Sequence, residues 1–213
     1  MKIEKKEFLY LSNLLSISRL FFMIPIYYLI RQNTPTANFW VIVLAIVGAS
    51  TDFLDGYISR KRHQVTDLGK ILDPLADKIC LGVGLIILIV YRGFPVPLAV
   101  FLIYRDLMII IMGGLIFKKL GHPNPANFWG KLNTTVIAFT GILFLIQPPV
   151  PVLNAFIVLS YFTISASGVV YAKLGQDILC QTTKSKLIYW ATIIVLTAIV
   201  IYWMLNFNFV IAK

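Results

Sequence analysis

Seven apolar runs, each close to the length a helix needs to cross a bilayer, take up most of this 213-residue chain. They cover residues 14–30, 39–58, 71–91, 96–117, 128–146, 152–171 and 187–205. A spanning helix needs about 20 apolar residues, so the runs and their short connections leave no room for a separate soluble domain. The predicted fold is all-α, a polytopic integral membrane protein. Pro and Gly mark the junctions at Asn33-Thr34-Pro35, Gly93-Phe94-Pro95, Pro123-Asn124-Pro125 and Pro148-Pro149. Composition agrees: 59% of residues are hydrophobic, 13% are charged, and the mean hydropathy is +0.84. A soluble domain carries about a quarter charged residues. A soluble enzyme, a disordered chain and a disulfide scaffold are excluded on that ground. Cys80 and Cys180 lie in or beside apolar runs without metal or redox spacing, and read as inert thiols.

The net charge of +10 reports topology and contact with anionic lipid rather than nucleic acid. Lys2, Lys5 and Lys6 precede the first run; Arg60, Lys61, Arg62 and Lys70 separate the second and third. Lys118, Lys119 and Lys131 mark the junction of the fourth and fifth, and Lys173, Lys184 and Lys186 that of the sixth and seventh. The opposite loops hold only Arg31 and Arg92, with Lys213 at the far end. This alternation predicts a cytoplasmic N-terminus and an external C-terminus; the expected location is a bacterial inner membrane. Residues 1–12, followed by a full span without a cleavage site, are expected either to lie flat on the membrane or to form a polar tail.

Nine acids are few, and five of them fall within the 26 residues from Asp52 to Asp77: Asp52, Asp55, Asp67, Asp73 and Asp77. Asp52 and Asp55 are three apart near the cytoplasmic end of the second run. Asp73 and Asp77 are four apart at the start of the third. Each pair shares a helix face. The linker turns the chain back, so the two helices are expected to be antiparallel neighbours, and four carboxylates can then converge just inside the membrane. Buried like charges are costly without compensation. Carboxylate oxygens are hard donors suited to Mg²⁺ or Mn²⁺, and two cations match four carboxylates in charge. One such pair alone reads better as helix-end acids, with Asp73 capping the third helix ahead of Pro74.

These residues together, Asp52-x-x-Asp55-Gly56-x-x-Ser59-Arg60, eight residues, then Gly69-x-x-x-Asp73-x-x-x-Asp77, resemble the signature of the CDP-alcohol phosphatidyltransferases. Ser59 stands where the family usually has Ala. Asn13-Leu14-Leu15-Ser16-x-x-Arg19 with Pro25, Arg105-Asp106, and Gly130-Lys131-x-Asn133-Thr134 resemble members that make phosphatidylglycerophosphate and cardiolipin synthases of the eukaryotic type. The former usually have a second Lys where this chain has Asn133; the latter often have Asn. The family core usually has six spans. The resemblance therefore implies one catalytic domain over 1–213, with a core at 13–173 and an added span at 187–205.

The resemblance implies an enzyme of phospholipid biosynthesis that takes CDP-diacylglycerol and an alcohol and releases CMP. It implies two cations, Mg²⁺ or Mn²⁺, held by Asp52, Asp55, Asp73 and Asp77, with Asp77 also the general base. Asp52, Gly56, Arg60 and Gly69 would line the CDP site. The usual family arrangement is a homodimer. Arg19 and Arg105 lie within apolar spans, where a charge is a functional candidate. With Lys131 they are expected to bind a phosphate on the acceptor. Snorkelling to the interface explains Arg19 and Lys131 equally well. The expected acceptor is sn-glycerol 3-phosphate, with phosphatidylglycerol or an inositol phosphate as alternatives. A cation transporter would place such acids at mid-membrane. A catalytically silent scaffold would not need all four.

Overall fold

The computed structural model describes residues 11–61, 69–121 and 127–206; within these, of residues 11–17, 52–61 and 69–75 it describes the helix path. Residues 1–10, on which the expectation of a surface-lying segment rests, fall outside them. All regular structure among the described residues is helical.

Seven helices follow the seven apolar runs: α1 (Leu11–Gln32), α2 (Pro35–Lys61), α3 (Gly69–Arg92), α4 (Val96–Leu120), α5 (Phe128–Ile146), α6 (Val150–Leu179) and α7 (Thr183–Asn206). Their ends are set by local backbone chemistry. Asn33, Gly93, Gly121 and Gln147 directly follow α1, α3, α4 and α5, and each has a positive φ, between 51° and 76°. A left-handed residue after the last helical one lets a late amide close on a carbonyl a turn back. The Gly121 and Gln147 amides do so, on the Phe117 and Leu143 carbonyls at 2.8 Å. Pro begins α2 and sits in the first turn of α4 and α6, where its missing N–H is no loss. The sixth helix runs eight residues beyond the expected end at Tyr171, to Leu179. Lys173 therefore lies on the helix rather than in the loop. Polar residues at a membrane surface are compatible with helix, so hydropathy marks where a span leaves lipid and not where its helix stops.

Four helices, α4 to α7, are long and apolar enough to cross a membrane, and Pro35–Thr51 is a shorter apolar stretch of the same kind. The protein is an integral membrane protein. Its exposed surface agrees, carrying Phe21, Ile46, Ile86, Ile110, Phe162 and Val195. In water such a surface would aggregate; in lipid it is solvated.

The helices form two compact units, one up to Gly93 and one from Phe94 onward. In the first, α1 packs against both α2 and α3. Among the described residues α2 and α3 make no comparable contact with each other. Both helices share α1 as a neighbour. Met23 of α1 lies against Gly84 of α3. At the far end Arg92 donates to Asn33 and, at 2.5 Å, to Asn38, tying α3 to the α1–α2 turn.

In the second unit α6 packs against α4 and α5, and α7 contacts α4. Ser160, Thr163 and Ser167 form a buried polar seam on one face of α6. Thr163 donates to Asn133 Oδ1 of α5 (3.2 Å), and the Ser160 and Thr140 hydroxyls share a hydrogen bond (2.9 Å). Between lipid-solvated helices the hydrophobic effect offers little, and small residues with interhelical hydrogen bonds decide packing. On α7, Tyr189 donates to the Ala172 carbonyl (2.8 Å), Trp190 to Gln176 (2.6 Å), and Thr197 pairs with Tyr104 of α4 (2.8 Å).

Candidate active site

The acids sit where two helices end and begin. Asp52 and Asp55 are in the last three turns of α2, with Gly56 and Arg60 after them. Gly69 is the first residue of α3, and Asp73 and Asp77 follow within three turns. Helical periodicity puts Asp52 with Asp55, and Asp73 with Asp77, on common faces. The side chains of Asp52, Asp55, Arg60 and Asp73 lie outside the described residues. The donor set itself, four carboxylates, matches the hard-oxygen preference of Mg²⁺ or Mn²⁺.

Asp77 is described, and its partner is Arg19. The Arg19 guanidinium on α1 donates to Asp77 Oδ1 on α3. The arginine side chain is 8% exposed and the aspartate side chain 48% exposed. A buried cation thus fixes one oxygen of the motif's last carboxylate, and half of that carboxylate stays accessible. Arg19, expected beside the acceptor phosphate, is ion-paired with Asp77.

Arg105 lies in the other unit, buried on α4. Its Nη1 donates to Asp106 Oδ1 at 2.8 Å and its Nη2 to Ser167 of α6. The guanidinium carbon stands 5.7 Å from the Tyr171 ring centre, a cation–π distance. Its Nε is buried and has no hydrogen-bond partner among the described residues.

Gly130 explains how α5 comes so near. A Cβ there would stand 3.1 Å from the Tyr171 hydroxyl and 3.5 Å from Arg105 Nη2. The glycine therefore admits Arg105 and Tyr171 to the first turn of α5, where Lys131 is the next residue and is exposed. Asn127 caps that turn, accepting from the Trp129 amide at 3.2 Å. Arg105 thus lies beside the turn of α5 that carries Lys131.

Asn133 turns to α6 and is 1% exposed. Ser167 and Tyr171 were missed by sequence reasoning. Their signal was the spacing of Ser160, Thr163, Ser167 and Tyr171 along one face of an apolar span.

The CDP-alcohol phosphatidyltransferase family profile matches residues 9–166. The chain is 34% identical over 114 residues to the CDP-diacylglycerol–glycerol-3-phosphate 3-phosphatidyltransferase of Bacillus subtilis, covering 53% of this chain and 58% of that one. The Aquifex aeolicus protein of the same name is 36% identical over 131 residues, 60% of this chain and 71% of its own. The CMP-forming cardiolipin synthase of Streptomyces coelicolor is 28% identical over 150 residues, 68% of this chain and 69% of its own. The chain thus spans somewhat over half the length of the Bacillus relative.

Proposed function

Since the chain belongs to the CDP-alcohol phosphatidyltransferase family, we propose that it makes phosphatidylglycerophosphate. The phosphatidyl group of CDP-diacylglycerol passes to a hydroxyl of sn-glycerol 3-phosphate, and CMP leaves. What carries this reading is the family match over residues 9–166, which contains both acidic pairs, together with relatives named for this reaction.

Asp52, Asp55, Asp73 and Asp77 hold two divalent cations, Mg²⁺ or Mn²⁺. When bound, the cations neutralise the diphosphate and the charge that builds on the departing phosphate. Gly56 and Gly69 leave room for CDP beside the helix backbone, and Arg60 offers a planar fork to phosphate. Asp77 takes the proton from the attacking hydroxyl. The alcohol oxygen bonds to the phosphorus next to diacylglycerol as the bond from that phosphorus to CMP breaks, and the electron pair leaves with CMP. Arg19 orients Asp77. Arg105 and Lys131 receive the acceptor's phosphate, and the unsatisfied Nε of Arg105 supports that role. The same reading places the active site on the cytoplasmic side of a bacterial plasma membrane, by the alternation of basic loops, and includes the homodimer usual for the family.

A second acceptor, phosphatidylglycerol, is favoured by the Streptomyces cardiolipin synthase relative. Asn133 does not decide between them, since its side chain is engaged by Thr163 between helices. The test is product analysis. Purified protein, labelled CDP-diacylglycerol and Mg²⁺ or Mn²⁺ are offered glycerol 3-phosphate, phosphatidylglycerol, inositol phosphate and serine in turn. Label in phosphatidylglycerophosphate supports the proposal. Label in cardiolipin alone replaces it with the second reading, and CMP release with no acceptor overturns both.

A further inference from the structure

α7 lies outside the family match, which ends at residue 166, yet it forms one wall of a cleft against α4 and α6. The cleft holds about 260 Å³, is partly open, and is lined mainly by apolar side chains such as Met108, Ile164, Ile193 and Ile201. Arg105 is the single charged residue among those described along it. By the scale of a benzene-sized guest in a dry cavity of about 150 Å³, the cleft takes roughly ten carbons. From Trp190 to Ile201 its α7 wall is about 16 Å long, at about 1.5 Å per residue.

We propose that this cleft takes one acyl chain of an anionic phospholipid, whose phosphodiester lies at Arg105. An apolar cleft within membrane-spanning helices is reached from the bilayer, so its guest is a lipid chain. The guanidinium donates from Nη1 to Asp106 and from Nη2 to Ser167, while its buried Nε–H has no partner among the described residues. A buried N–H of a cation suits an anionic phosphate oxygen. Charge selects the headgroup. From Phe94 onward eight Lys and Arg face two Asp. Lys131 follows Gly130 in the turn of α5 that stands against Arg105. A second cation there favours a net negative headgroup over a zwitterionic one, by about 1 kcal/mol for a cation near the surface. Arg105 is also assigned to the acceptor phosphate, so the inference rests on that reading in one respect: the bound lipid competes with glycerol 3-phosphate. An anionic lipid accumulating in the membrane then slows the enzyme.

Trp190 lines the cleft and reports its occupant without any catalysis. The full chain with Trp40, Trp129 and Trp203 replaced by Phe is placed in phosphatidylcholine nanodiscs. Brominated-chain phosphatidylglycerol is expected to quench Trp190 several-fold more strongly than brominated phosphatidylcholine at equal mole fraction. Ala172→Phe and Ile193→Phe, which fill the cleft from two helices, should each abolish the difference without shifting the melting temperature. In the wild type, phosphatidylglycerol should raise the KM for glycerol 3-phosphate several-fold at constant kcat, and in Ile193→Phe it should not. Equal quenching by both lipids, or quenching by neither, overturns the proposal. Selective quenching with unchanged KM overturns the placement of the headgroup at Arg105. The quenching arm stands even if glycerol 3-phosphate proves not to be the acceptor.

Discussion

Arg19 on α1 is ion-paired with Asp77 on α3, 58 residues away. The pair joins a buried arginine of the first span to the last acid of the motif, and it fixes the carboxylate that is assigned to proton abstraction. A guanidinium bound to one carboxylate oxygen orients it. Arg19→Ala should leave the protein folded and lower kcat about tenfold or more, as expected for losing roughly 1.4 kcal/mol of positioning. Arg19→Lys should recover only part, since a point charge does not reproduce the planar fork. Steady-state kinetics with each substrate varied check this. An unchanged kcat with a raised KM for glycerol 3-phosphate would return Arg19 to the acceptor pocket.

The four motif acids should behave alike and unlike Asp67. Asp52→Asn, Asp55→Asn, Asp73→Asn and Asp77→Asn are each expected to cut turnover by orders of magnitude. Asp67→Asn should be mild. EDTA should abolish activity, with Mg²⁺ or Mn²⁺ restoring it. Near-normal turnover in Asp77→Asn would remove that residue from the mechanism.

Arg105→Ala should raise the KM for glycerol 3-phosphate by far more than that for CDP-diacylglycerol. Truncating a buried charged contact costs about 2–5 kcal/mol. Because Asp106 faces the guanidinium at 2.8 Å, the variant should also melt at a lower temperature. Adding Asp106→Asn should recover stability but not acceptor affinity, and that split separates binding from folding.

Gly130→Ala puts a Cβ 3.1 Å from the Tyr171 hydroxyl, so the ring must yield by a few tenths of an ångström. A modest fall in melting temperature is expected, and a larger one for Gly130→Leu, at about 1–3 kcal/mol for overpacking. Tyr171→Phe in the Gly130→Ala background should relieve the clash in part, since a ring carbon stays 3.3 Å away. If Gly130→Leu melts as the wild type does, the close approach of α4, α5 and α6 is wrong.

The alternation of basic loops predicts that a reporter after Lys186 reads cytoplasmic and one after Lys213 external. Readings on the same side would make α7 an interfacial helix instead of a span, and the cleft it walls would then have no bilayer setting.

Hydropathy alone determined that this chain is a bundle of membrane helices, because each backbone must satisfy its own hydrogen bonds in lipid. The same is true of the helix ends at Asn33, Gly93 and Gln147, where turn-forming residues and nearby prolines are local signals. The acidic pairs were also legible in sequence: three- and four-residue spacings report a shared helix face whatever the tertiary packing. What the tertiary structure decided was partnership. Nothing local couples Arg19 to Asp77 or Arg105 to Ser167, since those pairs are 58 and 62 residues apart and depend on which helices touch. In lipid that choice is made by small residues and interhelical hydrogen bonds. Gly130 and the seam of Ser160, Thr163 and Ser167 bring α4 and α5 onto α6, and Arg105 becomes a buried cation only once they have met.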